Sequence, residues 1–141
     1  MIVEFKNSKI EFKKKYPSGT EIEIHPGFIN SDYPVSGGWY ITNSGQIKHL
    51  DEFVGKCGVS SMMSVNGISK IKITGAYGNI YSAQWAFFNA SDEIFGTSPM
   101  VTSSSGDYEA NVPAGVEYVR FGQNISSSGL VRSCILKFVV A

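Results

Sequence analysis

Charge is scarce in this chain. Only 17% of its 141 residues are Asp, Glu, Lys or Arg, and twelve basic side chains cancel twelve acidic ones to a formal net charge of zero. Tracking a phosphate backbone needs a clustered excess of Lys and Arg, so nucleic acid is not expected as a partner. A neutral, weakly charged surface also offers little electrostatic resistance to self-association, which points toward a homo-oligomer or a larger assembly. Long apolar runs are missing too. No window approaches the length of a membrane span, and the amino terminus, MIVEFKNSKIEF, holds no apolar run of signal-peptide length. The sequence therefore predicts a chain made in the cytoplasm and not inserted into a membrane.

Residues that usually carry chemistry are equally sparse. His25 and His49 are the only histidines, and they lie in different segments with no metal-ligand spacing. Cys57 and Cys134 have neither metal nor redox spacing; in a cytoplasmic chain they read as reduced core thiols rather than a disulfide. Neither a G-x-S-x-G elbow nor a phosphate-binding glycine loop is present. Asp51-Glu52 and Asp92-Glu93 are sequence neighbours whose side chains would diverge on a strand, whereas a glycosidase needs two carboxylates facing one another. Asp92 and Glu93 read as a solvated turn, and 89–93 is too thin in carboxylates for a calcium loop. The expectation is a non-enzymatic protein with no cofactor, metal site or catalytic residue.

Helical periodicity is nearly absent as well. The one short candidate is 46–53, where Ile47, Leu50 and the following Val54 could share a face. Alternation with a period of two is what remains, and it recurs. Ile22 and Ile24 alternate with Glu21 and Glu23, Ile71 and Ile73 with Lys70 and Lys72, and Val119 and Phe121 with Tyr118 and Arg120. Leu130, Cys134, Leu136, Phe138 and Val140 fall on one face of a last strand. This is the signature of strands with one buried face. Between them lie short turns rich in Gly, Ser and Asn at 42–45, 66–67, 75–79, 103–106 and 126–129. The fold class predicted is all-β: an antiparallel β-sandwich of jelly-roll-like form.

The first part of the chain reads separately. Tyr16-Pro17-Ser18-Gly19 punctuates two alternating runs, 9–15 and 20–25, and predicts a β-hairpin. Lys9, Lys13 and Lys15 on one run would then face Glu21 and Glu23 on the other, contributing a few tenths of a kcal/mol per pair, roughly. The apolar face of this hairpin, Ile10, Phe12, Ile22 and Ile24, needs a cover and is a candidate assembly interface. With a loop-like break at 34–38, the chain divides into an amino-terminal hairpin arm, 1–38, and a body, 39–141.

Aromatic residues are the remaining functional candidates, at 13% of the chain. Trp85 and Phe87 share a parity that suits the core. Tyr77, Asn79 and Tyr81 share one glycine-flanked loop. Sugar rings pack their C–H faces on flat aromatic rings while amides bond the hydroxyls, so these three form a candidate glycan site. The same aromatics would also serve a protein interface.

Several segments carry a family resemblance, in chain order. They are Trp39-Tyr40-Ile41-Thr42-Asn43-Ser44-Gly45, Met62-Met63-Ser64-Val65-Asn66-Gly67 and Ala86-Phe87-Phe88-Asn89-Ala90-Ser91-Asp92-Glu93-Ile94. The closest is Val112-Pro113-Ala114-Gly115-Val116-Glu117-Tyr118-Val119-Arg120-Phe121. Together they resemble a β-sandwich adhesion and decoration domain of bacteriophage virion proteins of the tail-fibre, head-fibre and baseplate type. Phe88-Asn89 stands where that group more often has Tyr-Asp. The resemblance implies a virion component assembling with other virion proteins, as a homo-oligomer such as a trimer, and a bacterial surface glycan as ligand. A lectin-like carbohydrate-binding module is the alternative. The last segment also has a physical reading of its own: Pro113 and Gly115 make a tight turn, Val119 and Phe121 point inward, and Arg120 points outward with its stem over apolar surface.

Overall fold

The computed structural model of the protein describes residues 3–6, 9–12, 16–24, 33–42, 44–55, 57–76, 85–97, 106–124 and 135–141. Among them are thirteen strands and no α-helix. In chain order the strands are β1 (Val3–Lys6), β2 (Lys9–Phe12), β3 (Glu21–Ile24), β4 (Trp39–Ile41), β5 (Ile47–His49), β6 (Cys57–Val59) and β7 (Met62–Ser64). They continue with β8 (Ile68–Ala76), β9 (Trp85–Phe88), β10 (Ile94–Thr97), β11 (Gly106–Asn111), β12 (Tyr118–Asn124) and β13 (Ile135–Val140). The all-β expectation holds.

A four-stranded sheet runs in the order β11-β8-β13-β3, all antiparallel. Its register aligns the alternation of four segments far apart in sequence. One rung is Ile22, Phe138, Ile71 and Ala110, and another is Ile24, Leu136, Ile73 and Tyr108. Six of these eight side chains are buried, with Ala110 and Tyr108 packed at the margin. The rung between them, Glu23, Lys137, Lys72 and Glu109, points the other way and is charged throughout. A one-residue slip of any strand would exchange these faces, so burial fixes the register.

The second sheet has seven strands, in the order β1-β2-β7-β12-β9-β10 with β6 also on β12. Met63, Trp85, Phe87, Val119 and Phe121 come from it and join Ile22, Ile24, Ile71, Ile73, Leu136 and Phe138 in one cluster. The two sheets therefore share a core. Fully burying each such side chain stabilises by about 1.5–3 kcal/mol. Trp85, Phe87, Val119 and Phe121 are inward as their parity predicts.

The same sheet is covered on its other face. A two-stranded ribbon, β4-β5, forms a further cluster in which Trp39, Ile41 and Ile47 pack with Val59, Met62, Ala86, Phe88 and Tyr118. This explains why β9, Trp85-Ala86-Phe87-Phe88, shows no alternation: all four residues are buried, two toward each cluster. The 46–53 segment is no helix. Ile47 is drawn into the ribbon opposite Ile41, only Asp51–Phe53 makes a 3-10 turn, and Leu50 and Val54 are exposed. Gly38 ties the ribbon's two ends, accepting a hydrogen bond from Leu50 N at 3.3 Å with φ at +68°.

The expected hairpin between 9–15 and 20–25 does not form. Its turn is present, with Thr20 N bonded to Pro17 O at 3.1 Å and Gly19 at φ +83°. However, Gly19 N donates to Val140 O and Val140 N to Thr20 O, so the turn delivers β3 to β13. β2 pairs instead with β1 and, in parallel, with β7. The physical reason is burial: beside β13, Ile22 and Ile24 enter a core built by both sheets, which a lone hairpin could not supply. Ile22 and Ile24 are thus covered within the chain and are not an assembly surface. Nor do the first 38 residues form a separate arm in the sheets, since β3 belongs to the four-stranded one.

β6 and β7 read as one strand interrupted beside β12. Gly122 pairs with Val59 and Val119 with Met63, three steps along β12 against four along its partner. The extra residue is a β-bulge at Ser60-Ser61. Ser60, 1% exposed, repairs the ladder there. Its N–H donates to Phe121 O at 2.8 Å, its Oγ accepts from Phe121 N at 2.9 Å, and its hydroxyl donates to Ser61 O at 2.9 Å. Ser60→Ala strands a buried Phe121 N–H and should destabilise by about 1–3 kcal/mol, read as a lowered urea midpoint with unchanged slope.

Candidate functional site

Strand direction sorts the connections into two groups. From β7 to β13 the chain alternates direction, as the antiparallel pairs Gly106 with Ala76, Ile135 with Thr74, Thr97 with Ala86, and Phe121 with Trp85 require. At one end of the sheets the links are 65–67, 89–93 and 112–117, of three, five and six residues. At the other end they are 77–84, 98–105 and 125–134, of eight, eight and ten residues, and β3 also ends there, where Ile24 pairs with Leu136.

The short links are closed turns. Ile68 N bonds Val65 O at 3.0 Å, and Val116 N bonds Pro113 O at 3.2 Å with Gly115 at φ +90°, as the Pro113-Gly115 pattern requires. In the third, Asn89 Oδ1 accepts from Ser91 N at 2.9 Å and from Glu93 N at 3.0 Å, while Asp92 takes φ +62°. The Asn89 side chain is thereby occupied with its own backbone. Asp92 and Glu93 are exposed on this turn. This end is built of backbone economy and offers little for a ligand.

The three longer links differ in sequence from the short turns. The link 77–84 reads YGNIYSAQ, 98–105 reads SPMVTSSS and 125–134 reads ISSSGLVRSC. Tyr77, Asn79 and Tyr81 lie outside the described residues, but their link starts at Ala76 and returns at Trp85, both anchored in strands. Ile10 and Phe12 sit in β2, at register positions opposite Phe5 and Val3.

Among the described residues, the titratable groups are spread over several elements. His49 is exposed and lies against Trp39, and Asp51 and Glu52 are exposed on the 3-10 turn. His25 and Cys134 lie outside the described residues, and Cys57 is buried. No group of three metal-ligating side chains occurs among the described residues. A charged cluster does exist on the open face of the four-stranded sheet. Register puts Lys72 directly opposite Lys137, which alone would repel, and Glu21 spans them, pairing with Lys72 and, at 3.5 Å, with Lys137. Lys70 pairs with Glu109 at 3.4 Å. Glu21 was expected to face the lysines of 9–15; its partners are these instead.

The hydrogen bond and charge of Lys72 hold the Glu21 carboxyl below its ordinary value, and the same hydrogen bond and charge of Glu21 hold the Lys72 ammonium above its own. The Glu21 contribution is therefore complete above the ordinary carboxylate range and is lost as pH falls through the depressed value. The Lys72 contribution is complete below the ordinary lysine value and is lost as pH rises through the raised one. Such a lattice, open to solvent, joins strands.

No protein-family model, curated protein or solved structure matches the chain.

Sequence reasoning missed two features of the site region, the Ser60 repair and the aromatic column Tyr33, Trp39 and His49 beside Arg120. The unbroken apolar run at 85–88 was the available signal that the second face of the sheet is covered. Glu21→Gln should lower stability at neutral pH, and urea midpoints of variant and wild type should converge as the acid limb is descended. Added salt should shrink the neutral-pH difference.

Proposed function

We propose that the chain is a non-enzymatic structural protein of a bacteriophage virion, a capsid decoration, head-fibre or tail-fibre component, that presents a recognition surface at one end of its sheets. The single observation behind the recognition half is that the strand ends flanking 77–84, 98–105 and 125–134 lie at one end of the sheets. Binding residues concentrate on loops held by a rigid scaffold, and long links gathered together are the usual form of such a surface. Tyr77, Asn79 and Tyr81 supply flat rings and an amide in the first of these links, which suits a bacterial surface glycan.

The virion half rests on the resemblance over residues 39–141, above all the Val112 to Phe121 segment. An antiparallel sandwich of jelly-roll-like form is the finer fold reading, supported by a core drawn from two sheets. Assembly with other virion proteins, as a homo-oligomer such as a trimer, falls to the β1-β2 hairpin with Ile10 and Phe12, now that Ile22 and Ile24 are internal. The neutral net charge favours such association.

A panel of bacterial surface polysaccharides, screened against the intact chain, tests the ligand. Expected is millimolar to micromolar binding, lost in Tyr77→Ala or Tyr81→Ala while the melting temperature stays unchanged. Absence of any signal at high protein concentration, or variants that bind as the wild type does, would defeat the glycan reading.

A further inference from the structure

β12 brings one cation to a place where nothing among the described residues answers it. Arg120 lies beside the Ser60-Ser61 bulge on one side and opposite Ala86 on the other. Its Nε and Nη1 are closed to solvent and have no hydrogen-bond partner. The ion pairs of the described residues engage Lys70, Lys72 and Lys137, and none reaches Arg120. What the guanidinium does have is the ring of Tyr33, with its centroid 5.1 Å from the guanidinium carbon. A ring face attracts a cation, but it does not replace acceptors along the planar fork. Buried unpaired donors on a charged group are costly, and an oxyanion is the acceptor that offsets that cost best.

The surroundings agree. Tyr33 stands edge-on to Trp39, with centroids 5.1 Å apart at 71°, and Trp39 lies tilted against exposed His49, also at 5.1 Å. These three form an aromatic wall leading from the guanidinium to solvent. Trp39 and His49 belong to the β4-β5 ribbon, which pairs with itself and not with the ladder of the seven-stranded sheet. Tyr33 touches that sheet through one isolated bridge, to Val59. The wall can therefore yield to a ligand without breaking a ladder among the described strands. A β-bulge at the same level is a recurrent device for re-aiming side chains beside a site.

We propose that Arg120 anchors an oxyanion-binding site, taking a carboxylate, sulfate or phosphate group on its unpartnered Nε and Nη1 donors, with Tyr33 and Trp39 as the aromatic wall. This proposal does not depend on the glycan reading.

Melting curves of the intact chain, titrated with sulfate, phosphate or glucuronate at ionic strength held constant with chloride, test it and distinguish the sources. At least one oxyanion should raise the melting temperature saturably, and the Arg120 Nε–Hε resonance should shift along the same isotherm. Arg120→Lys keeps the charge and most of the stem but loses the fork, and should weaken the apparent affinity about tenfold or more. Arg120→Met should abolish the response, and Tyr77→Ala should leave it intact. A response no greater than that to chloride, an unmoved Arg120 resonance, or an Arg120→Lys variant that responds as wild type would overturn the site.

Discussion

β12 carries constraints from four directions. Its edges hydrogen-bond to β9 on one side and to β6 and β7 on the other. Val119 and Phe121 fill the core shared with the four-stranded sheet, while Tyr118 packs under the ribbon. A strand paired on both edges and packed on both faces has no freedom of register. Everything attached to it inherits that precision, including the bulge at Ser60 and the direction of Arg120. The Pro113-Gly115 turn sets where this strand begins, and Glu117 N, bonded to Phe88 O at 2.9 Å, starts its pairing with β9.

The faces of strands were legible in the sequence, and their partners were not. Alternation at Ile22 and Ile24, Ile71 and Ile73, Val119 and Phe121, and Leu136 and Phe138 predicts burial, and all eight are buried. Alternation says nothing about which strand lies alongside. Charge did not break the tie, because Glu21 is satisfied equally well by lysines of a local hairpin or by Lys72 and Lys137 from distant strands. The nearer partner was preferred in reading the sequence; the shared core decided otherwise. The turns were legible where backbone chemistry is local, as at Gly115 and Asn89.

Covered second faces were the hardest to see. Ala86 and Phe88 announce a second buried face only by the absence of polar residues between Trp85 and Phe87. That the cover is the ribbon follows from Trp39, Ile41 and Ile47, whose short strands look like any exposed hairpin. Arg120 was rightly assigned to the face away from the core, yet that face is roofed by aromatics rather than open. Of the candidate site, the chemistry of Tyr77, Asn79 and Tyr81 was visible in sequence. That the strand ends flanking 77–84, 98–105 and 125–134 lie together emerged only from strand direction.

The two ends of the sheets divide the labour of the fold. Closed turns at one end fix register cheaply, with few residues and few side chains committed. Longer links at the other end are free to differ in chemistry because the core beneath them is already determined. That division works only if both sheets are one cooperative unit. Amide hydrogen exchange on the intact chain tests this most directly. The account predicts that the amides of Ile71, Ile73, Phe121, Leu136 and Phe138 share the slowest rates and the same dependence on denaturant, exchanging only by global unfolding. A four-stranded sheet that opens at a much lower free energy than β12 would contradict it.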